Sequence, residues 1–188
     1  MKRKVGLLVG VILLAPPAPH PAGPAAGLAG FAVAQQQDFS FIKNFLRINE
    51  QVCTGGQPTL DDLVKLKAEG VKAILNLRRP ADYNSEEEAA KAKKLGLRYV
   101  NIPVSVAEPK DEQADEFLKV TSDPQNRPVF IHCGSANRVG AFWMIRRVLV
   151  DGWKLEDAEA EARKIGMHSP SLIEFAHSYI QRHQKKPS

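Results

Sequence analysis

The chain has 188 residues, of which 44% are hydrophobic and 25% charged, with 13 Gly and 13 Pro. That composition suits one globular domain with a short appendage and excludes a collagen-like, coiled-coil or wholly disordered chain. The formal net charge of +5 is weighted to the start, because Lys2, Arg3 and Lys4 are the only Lys, Arg, Asp or Glu residues before Gln35. The remainder is close to neutral, which argues against nucleic-acid binding.

Residues 1–34 read as an address. Three basic residues precede an apolar run from Val5 to Ala15, and a Pro/Ala/Gly-rich stretch then ends in Ala32-Val33-Ala34. A basic start, an apolar segment and a small-x-small site predict a secretory signal cleaved after Ala34. Prolines at 16, 17, 19, 21 and 24 break any continuous spanning helix. The expectation is a periplasmic or secreted protein with no stable membrane span once the signal is removed. Residues 35–188 then form a single domain.

Elements follow in alternation. Phe45 to Cys53 predicts one or two short strands, broken by Gly55-Gly56-Gln57-Pro58. Thr59, with Asp62 three residues on, predicts a capping box and a helix ending at Gly70. Val71 to Leu77 reads as a strand. Ser85 with Glu88 repeats the capping-box pattern before a helix ending at Gly96. Leu97 to Val104 is the next strand, and Asp111 to Thr121 a helix stopped by Asp123-Pro124. Val129-Phe130-Ile131 reads as a buried central strand. Arg138 to Val150 is a helix apolar on most faces and therefore buried. Two helices close the chain, Leu155 to Ile165 and one capped by Ser169-Pro170. The pattern predicts an α/β fold with a central, mostly parallel sheet flanked by helices.

The chemistry concentrates in Val129-Phe130-Ile131-His132-Cys133-Gly134-Ser135-Ala136-Asn137-Arg138. A buried strand runs into a loop of small residues and then a helix, at the sheet edge where α/β proteins bind ligands. Inward N–H groups of Gly134, Ser135, Ala136 and Asn137 can cradle an anion at the helix N-terminus. That positive field favours a thiolate at Cys133, a nucleophile, and Arg138 can grip an oxyanion.

On these residues the chain resembles the cysteine-dependent protein tyrosine/dual-specificity phosphatases. With Gly55-Gly56-Gln57-Pro58 and Leu75-Asn76-Leu77-Arg78 it is similar to the bacterial phosphatase-like domains described as beta-lactamase hydrolase-like or fused to NAD kinase. The resemblance implies a cysteine-phosphatase fold and a phosphorylated substrate, protein or small molecule. It further implies a phosphocysteine at Cys133, phosphate held by the 134–137 backbone and Arg138, and hydrolysis by water without a metal or other cofactor. His132 would order the loop by hydrogen bonding.

Three departures stand beside the resemblance. Four residues separate Cys133 from Arg138 where the common phosphatase spacing has five. That shorter loop also resembles rhodanese-like sulfurtransferases. Val139 stands where many phosphatases carry Ser or Thr, which implies slow breakdown of the intermediate. The general acid expected after Ile102-Pro103 falls near Val106, so Glu108 and Asp111 are the candidate acids, Glu108 ahead. The alternatives to a phosphatase are the sulfurtransferase and an inactive phosphate-binding module.

Arg78 is read either as an anion-binding residue or as a partner of Asp82 or a helix cap. Gln57 borders the pocket or serves the turn alone, and Asn76 is read as structural. His168 lines the pocket or serves helix entry. Cys53 pairs with Cys133 or is a buried strand residue. No His/Cys/Asp cluster has metal-ligand spacing.

Overall fold

The β-branched and aromatic runs of the sequence become five four-residue strands in the computed structural model, which describes residues 38–184. The expected signal and its cleavage site lie outside the described residues. In chain order the elements are β1 (Leu46–Asn49), β2 (Val52–Gly55), α1 (Leu60–Ala68), β3 (Ala73–Asn76), α2 (Ser85–Lys94), β4 (Arg98–Asn101), α3 (Asp111–Ser122), β5 (Val129–His132), α4 (Asn137–Leu149), α5 (Leu155–Ile165) and α6 (Pro170–His183). The sheet order is β1-β2-β5-β3-β4. β1 pairs antiparallel with β2, and the other pairings are parallel. The α/β architecture expected from the sequence is therefore observed.

Side-chain alternation along the strands sorts the core onto two faces. Val52, Leu75, Val129 and Ile131 join α3, α4, α5 and α6 in one apolar cluster. Cys53, Ile74 and Phe130 face α1 and α2 in the other. α4 is buried along most of its length, from Asn137 through Arg146, as its all-round apolar sequence demands. Gly140 lets α4 approach its neighbours. A Cβ there would stand 2.5 Å from Ala162 O and 2.8 Å from Met167 Cβ.

Two sequence readings are refined. The strands are shorter than their apolar runs, although the ladder continues past their ends through Leu77 N–H to His132 O (2.9 Å) and Ile102 N–H to Asn76 O (2.9 Å). Thr59 and Asp62 do form the reciprocal capping box at α1. Ser85 and Glu88 do not form one at α2. Asn84 is the cap, its side chain accepting from Glu86 N–H. Glu88 is instead turned inward, where Gln57, Asn76 and Tyr99 donate to it.

Candidate active site

β5 lies between β2 and β3, with all four of its residues buried, and delivers the chain to the centre of the sheet edge. Four residues, Cys133 to Ala136, then lead into α4. The loop carbonyls turn outward. Gly134 O accepts from Gln57 N–H (3.4 Å), and Ser135 O accepts from Asn44 Nδ2 (3.0 Å). Ala136 adopts φ 62°, ψ 5°, a left-handed conformation that costs about 1 kcal/mol for a non-glycine residue. It reverses the chain so that successive N–H groups share one side, the geometry of an anion nest. Among the described residues, the N–H groups of Gly134, Ser135, Asn137 and Arg138 donate to no acceptor. The N-terminus of α4 adds positive potential at the same point.

The cradle is braced on two sides. Gly56 pairs with Ser135 as an isolated bridge, and a Cβ on Gly56 would lie 2.9 Å from Gly134 O and 3.0 Å from Lys43 O. Glycine there permits two backbones to close on the loop. On the other side, Asn137 Oδ1 accepts from His168 N–H (2.9 Å) and Ser169 N–H (3.2 Å), while its Nδ2 donates to Ser169 Oγ (2.6 Å). The turn before α6 is thus fastened to the start of α4. His168 takes the helix-entry role, with an exposed ring beside Gly166 O.

Arg138 is 8% exposed. Its Nη1 donates to Val104 O (2.9 Å) and to Asp82 Oδ2 (2.8 Å). The guanidinium is held by that one nitrogen, while Nη2 lies on the side of Gly134, 3.9 Å from where a Cβ on that glycine would sit. Asp82 also accepts from Arg79 Nη2 (2.8 Å). The bonds from Arg79 and Arg138 hold the Asp82 carboxyl well below the usual carboxylate range. It is an ionised acceptor, and a poor proton donor while it holds Arg138.

Arg78 leaves the end of β3 beside the cradle. Its Nη1 donates to Gln57 Oε1 (3.0 Å), its Nη2 bonds Asp82 O, and its guanidinium lies 4.7 Å from the centre of the Tyr83 ring. Arg78 therefore both anchors Asp82 and borders the site.

Behind Cys133 lies a buried polar cluster. His132 is fully buried and stacks on Phe130, with ring centroids 5.6 Å apart. Its Nε2 lies 3.3 Å from Glu88 Oε1. Glu88, 1% exposed, accepts from Gln57 Nε2 (3.0 Å), Asn76 Nδ2 (3.0 Å) and Tyr99 OH (2.9 Å). Burial opposes its charge, but the approach of His132 and the bonds from Tyr99 and Gln57 outweigh it and hold its carboxyl below the ordinary value. The same surroundings push the Tyr99 hydroxyl upward, through burial first and the Glu88 charge second.

Cys133 is 1% exposed and belongs to the cluster on the α4 face. Cys53 belongs to the cluster on the opposite face. Both are free thiols, and the sheet separates them, so the pairing considered from sequence does not form. Burial pushes the Cys53 thiol up to about 12, which makes it the inert strand residue of the two readings.

Comparison with known proteins places this geometry. The family model described as DSP-PTPase phosphatase fused to NAD+ kinase matches residues 25–176. The chain belongs to this phosphatase family. A beta-lactamase hydrolase-like protein of Xylella fastidiosa is 26% identical over 117 residues, covering 60% of this chain and 27% of that protein. The chain thus spans about a quarter of the length of that curated relative. Among solved structures, a DUF442 protein from Shewanella putrefaciens CN-32 superposes with a TM-score of 0.66 at 19% identity, covering 78% of this chain and 97% of that one. The core catalytic domain of the PP-IP phosphatase SIW14 from S. cerevisiae superposes at 0.63 with 22% identity, covering 75% and 90%. These structures share the cysteine-phosphatase fold with this chain.

Within this phosphatase domain the structure gathers Cys133, the 134–137 loop, Arg138, His132, Arg78 and Gln57 at one end of the sheet. It does not bring Glu108 or Asp111 to Arg138. Asp111 pairs with Arg182 on α6 (2.7 and 2.9 Å). Glu108 is exposed on the loop before α3, its backbone N–H bonded to Ser105 Oγ (3.3 Å). The carboxylate that meets Arg138 is Asp82, which sequence reasoning named only as a partner of Arg78. Its signal was Arg78-Arg79-Pro80 followed by an acid in the loop after a central strand. Glu88 had a signal too. It stands one turn before Ala92 on the buried stripe of an otherwise highly charged helix.

Proposed function

We propose that this domain hydrolyses phosphomonoesters through a phosphocysteine at Cys133. What carries the reading is the cradle itself, in which a buried cysteine, N–H groups without protein acceptors and a tethered Arg138 stand together where one tetrahedral anion would bind. The thiolate of Cys133 attacks phosphorus, the P–O bond to the leaving group breaks, and that oxygen takes a proton. Backbone N–H groups and Arg138 Nη2 bind the equatorial oxygens as charge spreads over them. Water then attacks the phosphocysteine, the S–P bond breaks, and phosphate leaves with the thiolate restored.

Glu108 is the proton donor in this proposal. It is exposed on a loop, and its carboxylate has no hydrogen-bond partner among the described residues. Asp82 is fully committed as an acceptor, which favours Glu108 over it. With Val139 beyond Arg138, the second step is the slow one. The physiological substrate carries a phosphate monoester on a protein or a small molecule. The basic, apolar and small-x-small pattern of residues 1–34 supports export to the periplasm or beyond.

The test uses the reduced chain with an aryl phosphate, alongside Cys133→Ser and Glu108→Gln. Turnover lost with Cys133→Ser and lowered with Glu108→Gln supports the proposal. Thiosulfate turnover with cyanide and no phosphatase activity would replace it with a sulfurtransferase. Phosphate protection of Cys133 from alkylation without any turnover would replace it with a binding module.

A further inference from the structure

Phosphoryl transfer as written above gives no task to Glu88, a charged group buried behind the site. Its position is unusual for a helix carboxylate. From α2 it touches a residue at the C-terminal end or beyond of β2 (Gln57), β3 (Asn76) and β5 (His132), and Tyr99 within β4. These are the four mutually parallel strands whose ends carry the site. One path leads outward from it toward the site. It runs through the Gln57 amide, which donates with Nε2 to Glu88 (3.0 Å) and to Pro58 O (3.1 Å) and accepts from Arg78 with Oε1 (3.0 Å). Arg78 has donors only, so it needs the amide oxygen, and the two acceptors keep the N–H₂ turned away from it. Glu88, together with Pro58 O, therefore fixes which way Gln57 faces, and so where the Arg78 guanidinium is held.

We propose that Glu88 is a positioning residue for the phosphate site, acting through the Gln57 amide to aim Arg78 at the bound anion. The inference rests on the phosphate-site reading given above and assigns Arg78 to the anion side of that site. If Gln57 is free to rotate, its N–H₂ can face Arg78, the pairing is lost, and Arg78 is no longer held at the cradle. Removing either Glu88 or Arg78 then costs the same interaction, so the two losses overlap.

The experiment measures the rate of Cys133 alkylation by iodoacetamide in the reduced, full chain as inorganic phosphate is raised. It reads the phosphate concentration that halves the rate, and needs no turnover. Glu88→Gln and Arg78→Ala are each expected to raise that concentration about tenfold, the scale of one hydrogen bond to a charged group. The double variant is expected to show no more than the larger single effect. Glu87→Gln, exposed one residue away on α2, is expected to match the unaltered protein. Because Gln57 lies on a loop and is half-buried, Gln57→Ala with Arg78→Ala forms a second cycle that holds if Glu88→Gln does not fold. A protected wild-type protein whose single effects multiply in the double variant, or whose Glu88→Gln stays within about twofold, overturns the inference alone. Absence of phosphate protection in the wild type overturns the phosphate-site reading and the inference with it.

Discussion

The two loops that meet at Arg138 are built on opposite plans. The cradle, Cys133 to Ala136, is backbone held by backbone and by short side chains: Gly56 and Gln57 on one side, Asn44 and Asn137 on the others. The loop from Arg78 to Asn84 is held by long charged side chains, with Arg78, Arg79 and Asp82 tying to one another and to Arg138. The first plan fixes where an anion sits. The second fixes how Arg138 addresses it. Backbone bracing is insensitive to pH and salt, whereas a partly exposed ion-pair cluster weakens as salt screens it. Anion binding should therefore keep its location but lose strength as ionic strength rises.

Several changes separate the two plans. Arg138→Ala removes the point where they meet. It is expected to lower aryl-phosphate turnover by about 10²–10³-fold, the scale of losing one strong oxyanion donor, and to cost about 1–3 kcal/mol in urea unfolding, because Val104 O and Asp82 lose a buried partner. Gly140→Ala attacks the bracing of the cradle from below. The added Cβ overlaps Ala162 O and Met167, so urea unfolding should show a loss of about 1–3 kcal/mol.

Asp82→Asn attacks the charged loop alone. Val104 O still holds Arg138 Nη1, so turnover should fall by about tenfold rather than vanish, as one charge-assisted bond is lost. The pH dependence of this contact has a definite sign. The folded carboxyl of Asp82 lies below its ordinary value, so its contribution to stability is present above that value and lost only as pH falls through the lower, folded one. Acid unfolding should therefore begin at higher pH in Asp82→Asn, and Asp82 should not shape the rate profile between about pH 5 and 8.

The smallest effect concerns the thiol outside both loops. Cys53, pushed up to about 12 by burial, should remain unlabelled by iodoacetamide in the folded chain near neutral pH while Cys133 reacts, as peptide mass mapping would show. The neutral Cys53 thiol contributes stability below its ordinary value. That contribution is lost as pH rises from there toward about 12.

The same contrast explains what could be read in the sequence. The order of elements, the parallel sheet and the buried α4 follow from local patterns: apolar runs of four to eight, a capping box at Thr59, glycine after a helix. The cradle was legible because its parts are contiguous from His132 to Arg138. Asp82 and Glu88 were not assigned because their partners come from other elements. Arg138 lies 56 residues from Asp82, and Glu88 draws on Gln57, Asn76, Tyr99 and His132. Ser85-x-x-Glu88 satisfied a local rule for a helix start, yet the inward donors Gln57, Asn76 and Tyr99 outbid it and Asn84 took the cap. The exchange of Cys53 for a disulfide partner was open in the sequence because strand parity decides it. Cys53 and Cys133 fall on opposite faces of the sheet.

The central claim is that phosphate passes through Cys133. The reduced chain should be mixed with an aryl phosphate, quenched in acid during turnover, digested and searched for a phosphorylated peptide. The account predicts phosphate on the peptide containing Cys133, accumulating before steady-state release because Val139 leaves the second step slow, and absent in Cys133→Ser. Steady turnover with no phosphate on that peptide, or turnover that survives Cys133→Ser, would contradict it.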